Sequence, residues 1–157
     1  MQIREIMSHP VITVTENTSL EDVAGTMLQH RIGGVPVVNE QGALCGIITE
    51  SDFAAKEKGI PFSTFRAPQV LGQWLTSDGV ERIYEAARQV TAREIMRTEV
   101  VTVAEEDSVN KAVELMLRHD INRLPVAREG KLVGIIARTD LLKLMARTPI
   151  ANKIAHE

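Results

Sequence analysis

The chain has 157 residues, of which 44% are hydrophobic and 25% are charged, and its formal net charge is −3. This composition is typical of a globular protein, and the negative charge argues against a protein that holds nucleic acid by its phosphates. The N-terminus lacks the apolar stretch of a secretory signal, and no apolar run approaches the roughly 18 residues of a membrane span. We therefore expect a cytoplasmic protein with neither a nucleic-acid nor a membrane partner.

The sequence contains the same unit twice. Its clearest match joins residues 46–52 (GIITESD) to residues 134–140 (GIIARTD). Two shorter matches precede it in the same order, namely REIM at 4–7 and 93–96, and VITV at 11–14 with VVTV at 100–103. Because a unit of about 60 residues buries little apolar surface alone, the two copies are expected to fold together.

The first copy predicts a regular order of elements. They are a helical segment at 2–7, a strand at 11–14, a helix that ends before Gly33, a strand at 35–38, a hairpin turn at 39–42, a strand at 44–48 and a helix from Ser51 to about Lys58. Ser19 is the expected N-cap of the first long helix. Its apolar stripe follows the helical period: Leu20, Val23, Ala24, Met27 and Leu28.

The second copy predicts the same elements, with Ser108 as N-cap and a hairpin that is one residue shorter. The matching stripe is Val109, Ala112, Val113, Met116 and Leu117. Residues 60–90 have no counterpart, and their apolar content predicts a packed loop followed by a connecting helix with Val80, Ile83, Tyr84 and Ala87 on one face. We divide the chain into repeat 1 (1–59), the inserted loop and helix (60–90), repeat 2 (91–147) and a tail (148–157).

The order strand, helix, strand, hairpin, strand, helix, found twice, resembles the CBS domain, which is named after cystathionine β-synthase. The tandem form is the Bateman module. The resemblance covers residues 1–59 and 91–147 and omits the middle insert. It implies an α/β (α+β) fold of two β-α-β-β-α repeats related by pseudo-twofold symmetry, with their sheets packed together, helices outside and two clefts between the repeats.

Asp52 and Asp140 each follow a strand at the start of a helix. A carboxylate there can accept both hydroxyls of a ribose, and the resemblance implies that these two aspartates bind ribose. A helix cap explains the same residues, because Thr49 and Asp52 fit a capping box. In the second copy Ala137 replaces the threonine, so capping explains Asp140 less well. Both interpretations stay open for Asp52, and ribose binding is favoured for Asp140.

Ser51 and Thr139 offer hydroxyls and backbone N–H groups at a helix N-terminus, which suits either an anion or an N-cap. In the CBS family, hydroxyl residues at this place contact phosphate or ribose, and Thr49 matches the family's usual Ser or Thr. Ala137 departs from that pattern, which removes one hydrogen bond from the second site.

The second copy is the more basic one. Residues 1–59 carry four Lys/Arg against eight Asp/Glu, whereas residues 91–147 carry ten against nine. Arg138 takes the place of Glu50, and Arg123 that of Gly34. Either arginine can hold a phosphate, although a solvated surface charge is the alternative. Glu50 would repel phosphate, so we expect the Asp140 site to be the occupied one.

The resemblance also implies an adenine pocket between the start of the first strand and the second strand. The positions are Val11, Ile12, Val35 and Pro36 in the first copy, and Val100, Val101, Leu124 and Pro125 in the second. The same apolar residues would also suit a core. Thr13 and Thr102 are candidate hydroxyl contacts, although threonine is a common strand residue.

No nucleophile–base pair, metal motif or P-loop is visible, so we expect no enzyme. The resemblance implies a stand-alone regulatory module that binds AMP, ADP or ATP, with NAD and S-adenosylmethionine as further candidates, and signals to a protein effector. The alternative is a dimeric scaffold with vestigial nucleotide sites. A homodimer is expected because Met27, Met116, Leu142 and Met145 lie on helices that the family uses for dimer contacts, although core packing also suits these residues.

Overall fold

The structure, a computed structural model, describes residues 1–53, 55–57, 60–61, 81 and 84–146. Most of the insert, for which a packed loop is predicted, and the whole tail lie outside these residues. The elements in chain order are a 3₁₀ turn (Ile3–Glu5), β1 (Val14–Thr15), α1 (Leu20–His30), β2 (Gly34–Val38), β3 (Leu44–Thr49), α2 (Glu50–Phe53), β4 (Ala55–Glu57), β5 (Ile60–Pro61), α3 (Ala92–Ile95), α4 (Val109–His119), β6 (Arg123–Arg128), β7 (Lys131–Ala137) and α5 (Arg138–Ala146). Both sheets and helices are present, as the α/β (α+β) prediction requires.

The chain forms two compact units. We call them the Asp52 unit, made of Thr13–Asn39 and Cys45–Thr98, and the Asp140 unit, made of Met1–Ile12, Glu40–Leu44 and the chain from Glu99 onward. Each sequence repeat therefore begins in the unit of the other repeat. We call residues 1–8 and 91–97 the lead segments, since each precedes the first strand position of its own repeat.

In the Asp52 unit, β1, β2 and β3 form one sheet in that order, and β1 runs parallel to β2 with Val14 opposite Val37. The Ser19 hydroxyl accepts a hydrogen bond from the Asp22 N–H at 3.2 Å, which confirms the predicted N-cap of α1. The buried core draws on the sheet, on α1, on the last residues of the insert and on the lead segment: Val14, Leu20, Val23, Met27, Val35, Val37, Ile48, Ala87, Val90, Ala92 and Ile95.

In the Asp140 unit, β6 and β7 form an antiparallel hairpin whose turn has positive φ at Glu129 and Gly130. Ser108 caps α4 as predicted, and its hydroxyl accepts from the Lys111 N–H at 3.2 Å. The core again includes a lead segment: Ile3, Ile6, Val103, Val109, Ala112, Met116, Leu124, Val126 and Ile136. Isoleucines at the very start of the chain therefore complete the core of the second repeat.

The predicted strands at 11–14 and 100–103 are wrong in extent. The first is only Val14–Thr15, and among the described residues the second is a single parallel bridge between Val103 and Val126. In a parallel ladder the next bond toward the N-terminus would need the N–H of Pro36 or Pro125, which proline lacks. Toward the N-terminus the ladder therefore stops at Val14 and at Val103, the last residues of the two predicted strands.

Two helix predictions also fail in part. The helix expected from Ser51 to Lys58 ends at Phe53 and is followed by a strand, and the Tyr84 hydroxyl donates to the Phe53 carbonyl at 2.6 Å, which occupies the acceptor that a longer helix would use. The predicted apolar stripes of α1 and α4 are each one residue too long, because Leu28 is 80% exposed and Leu117 is 71% exposed.

Candidate functional site

Asp52 and Asp140 are the buried charged residues among those that the structure describes, with 4% and 5% of the whole-residue surface exposed. Each lies in the first turn of a helix that follows a strand directly, Asp52 in α2 after β3 and Asp140 in α5 after β7. A buried carboxylate is costly unless it is hydrogen-bonded and paired with a cation, so the groups around each one define its role.

One oxygen of each aspartate caps its helix. The Oδ2 atom of Asp52 accepts from the Thr49 N–H at 2.8 Å, and that of Asp140 accepts from the Ala137 N–H at the same distance. The Thr49 hydroxyl adds a longer contact of 3.3 Å. The expectation that capping explains Asp140 less well is therefore wrong, because the donor is a backbone N–H that alanine possesses as well as threonine.

The other oxygen of each aspartate faces a different group. In the Asp52 unit, Arg97 Nε lies 3.4 Å from Asp52 Oδ1. In the Asp140 unit, Lys143 Nζ lies 2.6 Å from Asp140 Oδ1, and the Ser8 hydroxyl donates to the same oxygen at 3.4 Å. Each carboxylate thus has one oxygen committed to the fold and one oxygen that a ligand can compete for.

The lead segments bring Ser8 and Arg97 to these equivalent places. Ser8 exchanges two backbone hydrogen bonds with Ile135, of 2.8 and 3.0 Å, and Arg97 exchanges two of 3.0 Å with Ile47. Sequence reasoning found the repeated REIM motif that precedes both residues but assigned neither of them, nor Lys143, to a site. The signal was the repeat itself, since the residue after REIM has the same neighbours in both units.

The remaining predicted residues of the first site lie on neighbouring strands and at the start of α2. The pairing of Val14 with Val37 sets Thr13 beside Pro36. Thr13 and Ser51 are exposed, whereas Pro36 is fully buried. The Ser51 and Thr49 hydroxyls are hydrogen-bonded to each other at 2.8 Å.

The predicted residues of the second site meet at the open end of the β6–β7 hairpin. Arg123 pairs with Ala137, and the Arg138 N–H donates to the Asn122 carbonyl at 2.9 Å, so both arginines lie at the end of β7 that leads to Asp140. Arg138 and Thr139 are exposed, and Arg123 is half-buried.

The predicted adenine positions are only partly accessible. Pro125 is fully buried, and its carbonyl accepts from the Val103 N–H at 3.1 Å, which brings the residues before Val103 alongside β6. Of those residues Thr102 is exposed, and Val100 and Val101 are half-buried, as is Ile12 of the same unit.

A separate cavity of about 420 Å³ opens on the Asp52 unit. It is lined by residues of α1, of the loop that follows it and of α2: Ala24, Met27, Leu28, Arg31, Ile32, Gly33, Glu50 and Phe53. None of the predicted ligand residues lines it. The carboxylates, and not this cavity, therefore define the candidate sites.

Three other properties bear on function. Burial, with a smaller effect of the Glu16 carboxylate, raises the pKa of the Cys45 thiol, which keeps this residue of β3 protonated at neutral pH. Within the described residues no cluster of three His, Cys, Asp or Glu side chains is placed to hold a metal ion. No helix in that part of the chain is both long enough and apolar enough to span a membrane.

Two copies of a small repeat, each with a capped aspartate directly after a strand, define a tandem repeat module. The family model of the CBS domain matches residues 3–59 and 92–147, and the chain belongs to the CBS-domain family. The predicted family and fold class are confirmed.

Individual proteins resemble the chain over most of its length. The protein MK0525 of Methanopyrus kandleri is 34% identical over 145 residues, and the match covers 92% of this chain but only 62% of the relative. The solved CBS domain of a CBS-domain-containing membrane protein from Sphaerobacter thermophilus is 46% identical, with a TM-score of 0.69 and coverage of 92% and 87%.

A second solved structure carries ligands. The CBS domain pair of protein MJ0100, in complex with 5′-methylthioadenosine and S-adenosyl-L-methionine, is 26% identical to the chain. Its TM-score is 0.69, and the match covers 94% of this chain and 97% of the other. Both of its ligands contain an adenosine moiety.

Proposed function

We propose that the chain is a regulatory module that binds an adenosine-containing nucleotide at Asp52, at Asp140 or at both. The observation that supports this proposal is that the two oxygens of each carboxylate have different kinds of partner. One oxygen is held at 2.8 Å by a backbone N–H, and the other faces a cation that is itself partly exposed. Such an oxygen can exchange its present partner for the hydroxyls of a ribose.

The surroundings of Asp140 suit the rest of a nucleotide. Arg138 and Thr139 are exposed beside the carboxylate, and Arg123 starts the neighbouring strand. A guanidinium binds phosphate through two parallel hydrogen bonds, so AMP, ADP and ATP are the first candidates. The adenosine ligands of the MJ0100 domain pair support the nucleoside part and add S-adenosylmethionine, while NAD shares the same moiety.

A thermal-shift screen with AMP, ADP, ATP, NAD and S-adenosylmethionine tests the proposal. A ligand at a hundredfold excess over its Kd stabilises the folded state by about 2.7 kcal/mol, which raises the Tm by several degrees. No shift with any of these ligands would favour the alternative of a scaffold with vestigial sites. Chromatography of the incubated nucleotides should recover them unchanged, because the proposal assigns no reaction to the chain.

Signalling requires that the ligand bind one conformation more tightly than another. The lead segments are the elements that we expect to move, since Arg97 and Ser8 contact the aspartates and would have to change position when a ribose binds. We propose that this adjustment is passed to a protein effector. Hydrogen exchange of residues 1–8 and 91–97, measured with and without ligand, should change if it is.

A homodimer is part of the same proposal. On α4 and α5 of the Asp140 unit, Leu117, Leu142 and Met145 are 71%, 64% and 83% exposed. Met27 and Met116, in contrast, are buried and serve the core. Light scattering should give twice the chain mass, and Leu142→Lys should give a folded monomer. A wild-type monomer at micromolar concentration would contradict the dimer.

A further inference from the structure

Arg97 is fixed at its backbone and adjustable at its side chain. Its N–H and carbonyl both pair with Ile47 at 3.0 Å, so the Cα position follows β3 closely. The side chain is 46% exposed and reaches back, with Nε 3.4 Å from Asp52 Oδ1 and an Nη atom 3.5 Å from the Ser51 hydroxyl. Both contacts are long, so the guanidinium is held mainly by charge and not by a short hydrogen bond.

The guanidinium covers the one oxygen of Asp52 that is not used by the helix cap. The Asp52 side chain is 2% exposed, and its Oδ2 atom is taken by the Thr49 N–H. A ribose that binds through Asp52 must therefore displace Arg97 from Oδ1. A neutral nucleoside offers the displaced guanidinium no anion in return, whereas a phosphate offers two charge-assisted hydrogen bonds.

We infer that Arg97 makes the Asp52 site selective for phosphorylated nucleosides, an inference that rests on the proposed nucleotide-binding function. Arg97 blocks the carboxylate in the empty site and moves onto the phosphate in the filled one. Glu50, which is exposed beside Ser51, opposes a phosphate here. Arg97 is the cation that offsets it, so the first site can accept an anion despite the acidic character of its repeat.

The Asp140 site has no arginine at the position equivalent to Arg97. The equivalent lead-segment residue there is Ser8, which is neutral, and the cation on Asp140 is Lys143 of the same helix. Lys143 Nζ also donates to the Ile6 carbonyl at 3.3 Å, so it is held at two points. The two sites therefore present different groups to a ligand, and only the first depends on a residue of the 91–97 lead segment.

The test is calorimetric titration of AMP and adenosine in an Asp140→Asn background, which leaves Asp52 as the intact candidate site. We expect AMP to bind about tenfold more tightly than adenosine or better, the gain expected from a charge-assisted hydrogen bond. Arg97→Gln should bring the two affinities within about a factor of two, chiefly by weakening AMP. In the protein that retains Arg97, raising the sodium chloride concentration should bring the ratio of the AMP and adenosine affinities closer to one.

Arg93→Gln is the matched control, because it removes one charge from the same lead segment at a residue that pairs with Glu16 and not with Asp52. It should leave the ratio of the two affinities unchanged. A ratio that is the same in the Arg97→Gln variant as in the protein that retains Arg97, or that does not respond to salt, would overturn the inference alone. Absence of binding by both compounds to the parent and to the Asp140→Asn protein would overturn the proposed function together with it.

Discussion

Met96 occupies the space that a side chain at Gly46 would need. A Cβ atom on Gly46 would lie 2.6 Å from the Met96 Sδ and 2.8 Å from the Arg97 carbonyl oxygen. Met7 fills the corresponding space at Gly134, where the three atoms nearest to the added Cβ all belong to the Met7 side chain. In each lead segment a methionine thus packs against a glycine of β3 or β7, and the next residue of the lead segment contacts the aspartate.

Gly46→Ala should therefore destabilise the protein more than Gly134→Ala. The Arg97 backbone cannot yield without losing its pairing with Ile47, whereas the Met7 side chain can change rotamer. We expect a cost of about 1–3 kcal/mol at position 46 and less at 134, measured by urea unfolding. Adding Met7→Ala should relieve the second variant, and adding Met96→Ala should relieve the first only in part. Equal costs at both glycines would contradict this geometry.

Because each lead segment packs in the core of the other repeat, a substitution in a lead segment should destabilise that other repeat. Ile3 is fully buried in the core that contains α4, so Ile3→Ala should cost about 2–4 kcal/mol and lower the hydrogen-exchange protection of α4 more than that of α1. Ile95→Ala is the mirror control, because Ile95 belongs to the core that contains α1, and it should reverse the order. Loss of protection in the same helix for both variants would contradict this packing.

Asp107 predicts a pH dependence. Its pKa lies below the ordinary value, first because Lys111 donates a hydrogen bond to it and then because the Ala104 N–H does so. A carboxyl whose pKa is lowered in the folded state stabilises that state above the unfolded pKa of about 4, and the contribution disappears as the pH falls through the folded pKa.

Asp107→Asn should accordingly cost about 0.5 kcal/mol at neutral pH, since the pair with Lys111 is partly exposed, and almost nothing at the acid end. Urea unfolding at a series of pH values from neutral downward checks this. Lys111→Met removes the same pair from the other side and should follow the same curve. A cost for Asp107→Asn that stays constant with pH would show that the carboxylate charge does not matter.

Local pattern predicted much of the fold. The Ser19 and Ser108 caps, the two long helices and the hairpins follow from residue types within a few positions of one another. The first strands were overestimated because the limit lies in the partner strand, where Pro36 and Pro125 have no N–H to donate. A run of β-branched residues carries no information about the residue that will face it.

Only those residues of the candidate sites that lie close together in the sequence were predicted. Asp52 and Asp140 were found from their place after a strand, and the capping box was read correctly at Thr49. Arg97 and Ser8 were missed because each lies far along the chain from the aspartate that it contacts. Two repeats with the same order of elements also give no indication of which lead segment packs against which repeat.

The most direct test of the account is calorimetric titration of one adenosine-containing ligand into the wild-type protein and the Asp52→Asn/Asp140→Asn double variant. Asparagine retains a carbonyl oxygen for the Thr49 or Ala137 N–H, so the helix caps persist while both charges are lost. We expect saturable binding to the wild type and at least a tenfold weaker affinity in a double variant that still unfolds cooperatively, the loss expected when a charged acceptor of ribose hydroxyls is neutralised. Equal affinity in the two proteins would mean that neither aspartate holds a ribose.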